Sequence, residues 1–336
     1  MTQVDEVKAP PAPSQEAASG GLLRQRLQQI LTFGSLIALM VFFSLANPNF
    51  LTWSNIGGIL LSTAVIGILA LGTTFVIITG GIDLSLGTGM TLASVITAVL
   101  LVNLGIPLVF GVVGGILFGA FMGFVNGFNV AVLKIPPFIA TLAMMLIAQG
   151  LALVVSGAAP IYFTGVPGFT DIALGSVVPG VRLPNAVLIL FLLTAVAGVI
   201  LAKTLLGRYA FAIGSNEEAT SISGINVRRW KMAVYTLSGA FTGIAGVVLA
   251  ARLNSAQPAL GLGYELQAIA AVVIGGTSLQ GGKGSIVGSI IGALIMGVLV
   301  NGLRIMSIPQ EWQTVVVGVV ILVAVYTDIL RRGKEG

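Results

Sequence analysis

From residue 28 to residue 330 the chain is a succession of long apolar runs, parted by short stretches where prolines, asparagines and charges collect. A helix that crosses a bilayer needs about 20 mostly apolar residues. Runs of that kind predict ten spans, near residues 30–46, 56–79, 85–103, 107–132, 136–156, 184–203, 232–251, 265–280, 285–304 and 312–329. The first run follows Arg24 and Arg26 and ends in "NPNF" instead of a small-residue cleavage site, so it reads as a span and not as a signal peptide. Residues 1–22, rich in Pro, Ala and Ser, read as a disordered cytoplasmic tail. Residues 23–330 then form the transmembrane domain, with 204–231 as its cytoplasmic loop, and 331–336 are a second short tail. The expected fold class is all-α: a polytopic membrane helix bundle of about ten transmembrane helices, some interrupted.

Composition sharpens this. Of 336 residues, 56% are hydrophobic and 8% charged, against roughly 25% charged in a soluble domain. Too few polar residues remain to cover one large soluble core. The 45 glycines often recur at small-xxx-small spacing, as at Gly111, Gly115, Gly119 and Gly123, which lets helix backbones approach closely in lipid. Cysteine and histidine are both absent. That excludes disulfides, Cys/His metal sites, thiol or Ser-His catalysis and imidazole proton relays. No catalytic residue, cofactor or metal is expected in this chain.

Charge sets the orientation. The net charge of +5 could suggest nucleic acid, but the basic residues are scattered at helix ends. With the N-terminus inside, 13 of the 16 Lys and Arg fall on the inner side, and only Arg182, Arg252 and Arg304 fall outside. That bias obeys the positive-inside rule and puts both termini in the cytoplasm of an inner-membrane protein, solvated by membrane lipid.

Within this apolar chain one carboxylate stands out. In "IITGGIDLSLGTGM" (77–90), Gly80-Gly81 interrupts a span and Asp83 follows. An Asp at a helix centre costs about 2.5–3.5 kcal/mol on insertion scales. Two readings fit. Asp83 or Ser85 caps the following helix, or the broken segment belongs to the transport pathway. Proton coupling fits least, because Glu265, Glu311 and Asp328 lie near span ends and no histidine exists.

An echo begins 195 residues later. Gly80, Gly81, Leu84, Gly87 and Gly89 match Gly275, Gly276, Leu279, Gly282 and Gly284 as G-G-x-x-L-x-x-G-x-G, followed by Ser94/Ser289 and Ala98/Ala293. Glycine-rich spans produce such matches by chance, whereas transporters carry true repeats whose broken helices meet at the path. The ten-span map makes these two segments parallel, not inverted. The nearby "GGKGS" (281–285) is no phosphate loop, since that motif needs Gly at 277 and Ser or Thr at 284, where Thr277 and Gly284 stand.

The longest polar stretch after the N-terminal tail lies between the sixth and seventh spans. There Asn216 or Ser215 can cap a short helix that starts at Glu217-Glu218, whose acids suit the positive end of the helix dipole. Gly224 can end it after two turns, and Arg228, Arg229 and Lys231 mark the membrane boundary. The stretch reads either as a rigid element that passes a push to a soluble partner or as a solvated loop with basic anchors.

Glu218-Ala219-Thr220-Ser-Ile-Ser-Gly224 resembles the E-A-A-x-x-x-G signature of the membrane subunits of bacterial ABC importers, with Thr for the second Ala. The wider pattern resembles the ribose-type ABC sugar permeases: "GGIDLS" (80–85), "GRYAFAIGSNEEAT" with "SGINV" (207–227), "SAQP" (255–258), "GYELQAIAAVVIGGTSLQGGKGS" (263–285) and "NGL" (301–303). This resemblance covers the chain from about residue 36 onward, in order. It implies a dimeric permease, a second copy or a paralogue completing the pair. It also implies a cytoplasmic ATPase with two fused nucleotide-binding domains, which holds ATP and Mg, and a periplasmic sugar-binding protein that delivers a pentose or hexose. Gly214, Asn216, Glu217, Glu218, Ala219 and Gly224 would then form the coupling helix, with Glu217 and Glu218 facing basic residues of the ATPase. Gly80, Gly81, Asp83, Ser85, Gly275 and Gly276 would mark helix breaks or the pathway. The outer segment 157–183, with Tyr162, Asp171 and Arg182, reads either as a docking surface for the binding protein or as a plain solvated connection. The rivals are an ABC permease for branched-chain amino acids or a sugar-like signal, an ion-coupled secondary transporter, and a receptor or scaffold without transport.

Overall fold

The computed structural model describes residues 15–177 and 183–332. The tail before residue 15, the outer segment's Arg182 and the last four residues lie outside the described residues. In chain order the elements are α1 (Gln15–Ala46), α2 (Trp53–Ile78), α3 (Leu86–Ala98, extended by a π turn Val99–Asn103), α4 (Leu108–Ala131) and α5 (Pro137–Ser156). There follow β1 (Ile161–Tyr162), α6 (Asp171–Leu174), α7 (Asn185–Lys203), α8 (Leu205–Ser215), α9 (Glu217–Ile222) and α10 (Val227–Leu253). β2 (Ser255–Ala256), α11 (Tyr264–Ile274), α12 (Ile286–Ile305) and α13 (Gln310–Arg332) complete the chain. α1 begins inside the stretch read as a tail.

Each of the ten apolar runs lands on a helix. Eight of the described helices are long and apolar enough to cross a membrane, so the polytopic helical bundle is observed as expected. The eighth run departs from expectation. It was expected to span 265–280, but α11 has only 11 residues, about 16 Å of helix against a hydrocarbon core of about 30 Å. Its N-terminus packs against the first turn of α3, where Gly261 and the Glu265 carboxylate abut Gly87. Residues 257–263 lead there from β2 as irregular backbone. Helical propensity is overridden there by Pro258, which lacks an N–H, and by Gly261 and Gly263, the latter at φ +95°.

Apolar periodicity decides who sits inside. α2 is hydrophobic on every face and is buried along almost its whole length, whereas α13 and α7 turn most of their surface outward to lipid. α4 and α10 lie backbone to backbone: a Cβ on Gly119 would come within 2.6 Å of the Gly239 carbonyl and 2.7 Å of Gly243 Cα. Gly123 fits against Gly239 in the same way, and Gly111 and Gly115 make room for Leu101 and Thr97 of α3 and its extension. The expected small-residue packing is therefore present.

At the outer end β1 pairs antiparallel with β2, with Ile161 opposite Ala256. Phe163 and Phe169 stack with ring centroids 3.8 Å apart and are fully buried. The outer segment is thus a folded cap and not a plain solvated connection, and it presents Tyr162 and Asp171 to solvent.

Candidate functional site

α2 and α11 end alike. Beyond Ile78 and Thr79, Gly80 adopts φ +78°, its N–H donating to the Ile77 carbonyl, while the Gly81 N–H donates to Val76. Beyond Ile274 and Gly275, Gly276 adopts φ +91°, its N–H donating to Val273, while the Thr277 N–H donates to Val272. Both are left-handed glycine caps that satisfy the last carbonyls of a helix. The equivalent of Gly80 is therefore Gly276, one residue along from the sequence match with Gly275. Gly275 has an ordinary helical φ, and its lack of a side chain is required by α12, whose Gly288 carbonyl would collide with a Cβ.

The two breaks touch. The Gly282 N–H donates to the Ile78 carbonyl at 2.9 Å, and a Cβ on Gly281 would stand 2.8 Å from the Gly80 nitrogen. A third element joins them. Gly214, in the last turn of α8, lies so close that its Cβ would overlap the Ile78 carbonyl and approach the Gly282 nitrogen to 2.6 Å. Gly80, Gly214, Gly281 and Gly282, dispersed along the sequence, thus converge with Ile78 at one junction, whereas Gly81 packs on Tyr235 and Gly275 on Gly288 of α12. Gly282's amide is committed to protein there.

Directly after Gly214 the chain turns outward. Asn216 is extended (φ −158°), and its Oδ1 accepts from the Ala219 N–H at 2.8 Å. Thr220 Oγ1 donates back to the Asn216 carbonyl at 2.7 Å. Asn216, not Ser215, is the cap of α9, and Gly224 at φ +82° ends the turn beyond it. Glu217 makes an ion pair with Lys231 of α10 at 2.6 Å, so it anchors α9 within the chain. Glu218 and Ala219 are exposed, and Ile222 is 80% exposed. Sequence reasoning gave Ile222 no role; an isolated large aliphatic on the polar loop was the available signal.

Asp83 is 2% exposed. Its Oδ1 accepts from the Ser85 N–H at 2.9 Å and the Ser85 hydroxyl at 2.6 Å, and Asn126 Nδ2 of α4 donates to Ser85 Oγ at 2.8 Å. Neither Asp83 nor Ser85 caps α3 with its side chain, contrary to the first sequence reading; the carboxylate instead fixes Ser85. Thr141 Oγ1 of α5 donates to the Ile82 carbonyl at 3.3 Å, and the Tyr235 hydroxyl, pressed against Gly81, has no hydrogen-bond partner. The second break does use a cap, with Ser285 Oγ accepting from the Gly288 N–H at 3.2 Å. Another feature was missed in the sequence. Thr88, Thr91 and Gln149 face Pro258, Ala259, Gly261 and Leu262, and within a membrane such irregular backbone persists only if it is buried in protein or lines water.

A bundle of apolar helices, with two breaks tied to one polar segment at its inner face, is the architecture of a membrane transport subunit. A profile of the family described as "Branched-chain amino acid transport system / permease component" matches residues 55–325. The chain belongs to that family. It is 44% identical over 302 residues to the ribose import permease protein of Escherichia coli K12, covering 88% of this chain and 92% of that one. The ribose import permease protein of Bacillus subtilis 168 is 44% identical over 307 residues, with 90% and 93% covered. The xylose transport system permease protein of Escherichia coli K12 is 35% identical over 373 residues, with 94% and 95% covered. No solved structure matches.

Proposed function

We propose that this chain is the inner-membrane permease subunit of an ATP-binding-cassette importer for a monosaccharide, ribose or a related pentose or hexose. A separate cytoplasmic ATPase with two fused nucleotide-binding domains binds ATP and Mg, a periplasmic sugar-binding protein delivers cargo, and a second copy of the chain completes the pore. The similarity to ribose and xylose permeases over nearly the whole chain supports the cargo. The observation that carries the mechanism is the contact of Gly214 with Ile78 and Gly282. Any displacement of α9 reaches both broken helices through backbone, with no flexible side chain between. α9 offers its partner a carboxylate at Glu218 and an apolar knob at Ile222, while Glu217 keeps the helix on α10. Cargo then passes along residues 257–263, past Gln149, a wall without a charge cluster that suits weak binding and quick release.

The experiment is a pull-down of the solubilised chain with its membrane-associated partners, for wild type and Glu218→Lys, together with uptake of labelled ribose. A tandem ATPase recovered with wild type and lost with the variant, with insertion intact and uptake abolished, is the expected outcome. Normal uptake by Glu218→Lys at normal expression sinks the role of that residue, and no ATPase in either sample sinks the importer reading. The family's description favours a second reading, branched-chain amino acid cargo. Uptake of labelled leucine in place of ribose by the assembled transporter would establish it.

A further inference from the structure

The first break holds more polar groups than its own hydrogen bonds use. Asp83, Ser85, Asn126 and Tyr235 are each no more than 6% exposed, and they come from the 81–85 turn, α4 and α10. The single hydroxyl hydrogen of Ser85 goes to Asp83 Oδ1 at 2.6 Å. Asn126 can therefore meet Ser85 Oγ only with its Nδ2, at 2.8 Å. That fixes the amide and leaves Asn126 Oδ1 a buried acceptor without a partner. Tyr235 runs from α10 past Gly127, where a Cβ would stand 3.1 Å from Tyr235 Cβ, to Gly81, where a Cβ would stand 2.6 Å from the Tyr235 hydroxyl. That hydroxyl also lacks a partner, and it lies within electrostatic range of the Asp83 carboxylate.

These groups share one need. Both bonds from Ser85 go to Asp83 Oδ1, which leaves Oδ2 for a further ligand. No Lys or Arg pairs with Asp83 among the described residues, and a buried charge is ordinarily paired or bound to a metal ion. Every spare group is an oxygen, from a carboxylate, an amide carbonyl and a phenol, and oxygens are the ligands of hard cations. One carboxylate balances one positive charge. Among the described residues no three His, Cys, Asp or Glu gather to hold a metal of higher charge. Broken helices are where membrane proteins commonly bind sodium. A water molecule in the same place would satisfy Asn126 and Tyr235 but leave the charge of Asp83 uncompensated.

From this carboxylate and its two orphaned neighbours we propose that the first break is a sodium site, with Asp83, Asn126 Oδ1 and Tyr235 Oη as ligands. The ion ties the 81–85 turn to α4 and α10 and stiffens the break. It is a structural ion, and its binding does not depend on which cargo the chain carries.

The test is thermal melting of the full-length chain in detergent, in sodium, potassium and choline chloride at one ionic strength, with equilibrium dialysis against radioactive sodium. Wild type is expected to bind one sodium per chain and to melt at least about 2 °C higher in sodium than in choline, saturably. Asp83→Asn is expected to abolish both effects. Tyr235→Phe deletes a single oxygen and serves if the first variant does not insert. If that oxygen is a ligand, the variant weakens sodium binding severalfold. If it is only a buried orphan, the variant melts higher than wild type by the same amount in all three salts, and the proposal falls. Equal melting of wild type in the three salts overturns it too, since a water or a proton then takes the place of the ion. So do equal stabilisation by potassium and a sodium effect that persists in Asp83→Asn.

Discussion

The two helix breaks share a cap and differ in what supports them. After Gly80 only residues 81–85 separate α2 from α3, and they are pinned by buried side chains, with Asp83 2%, Ser85 6% and Asn126 1% exposed. After Gly276 residues 277–285 intervene, and Gln280 and Lys283 are exposed. Gly281 and Gly282 add two further positive φ angles, +86° and +73°. One break is held from within by a carboxylate and its donors. The other is held by backbone contacts and the Ser285 cap, and lies beside the lipid-facing α1 and α13. Two halves of a transporter can thus use one C-cap as a fixed anchor and as a pliable strap, both reached by the same segment through Gly214.

The largest effect should come from breaking the point where the two meet. Gly214→Val would drive a branched side chain into the Ile78 carbonyl and the Gly282 amide, at a cost of about 1–3 kcal/mol from overpacking. Uptake by vesicles should fall at least about tenfold while the inserted amount stays within twofold. Wild-type uptake would mean that α9 does not act through this junction.

The next pair compares the supports directly. Asp83→Ala strands the Ser85 N–H and hydroxyl in a buried site, worth about 1–3 kcal/mol, whereas Ser285→Ala removes one helix cap, worth about 1 kcal/mol. Thermal melting in detergent should rank Asp83→Ala below Ser285→Ala, with Asp83→Asn, which keeps an acceptor, between them. The reverse order would make the second break the rigid one.

The smallest effect belongs to the partly exposed Glu217–Lys231 pair. Glu217→Gln should cost about 0–1 kcal/mol and reduce uptake at most about threefold, against complete loss for Glu218→Lys. Equal loss in the two variants would show that both acids, and not Glu218 alone, meet the partner.

Legibility in the sequence followed the range of the interactions. Asn216, Glu217, Glu218 and Gly224 were readable as a capped turn because capping joins residues three or four apart, and α9 formed as expected. The ten apolar runs were readable because length and hydropathy are local. The Gly80/Gly275 match was found one residue out of register, because two adjacent glycines serve different ends at each break: one carries a left-handed φ and the other admits a neighbouring element. Ser85's partner Asn126 was not readable, being 41 residues distant on another helix. The short α11 was misjudged as a full span because its apolar run continues past Ile274 while the backbone does not.

By itself the sequence determined the solvent, the orientation and the class of the protein. Transfer of apolar side chains to lipid, the bias of Lys and Arg, and helix capping are all set by residue type and nearest neighbours. Tertiary structure alone decided that Gly214, Ile78 and Gly282 form one contact, that Glu217 is spent on Lys231 while Glu218 is exposed, and that α11 starts against Gly87 of α3. Those outcomes depend on which backbones approach to van der Waals distance across the bundle, and glycine marks where an approach is permitted without naming the segment that makes it.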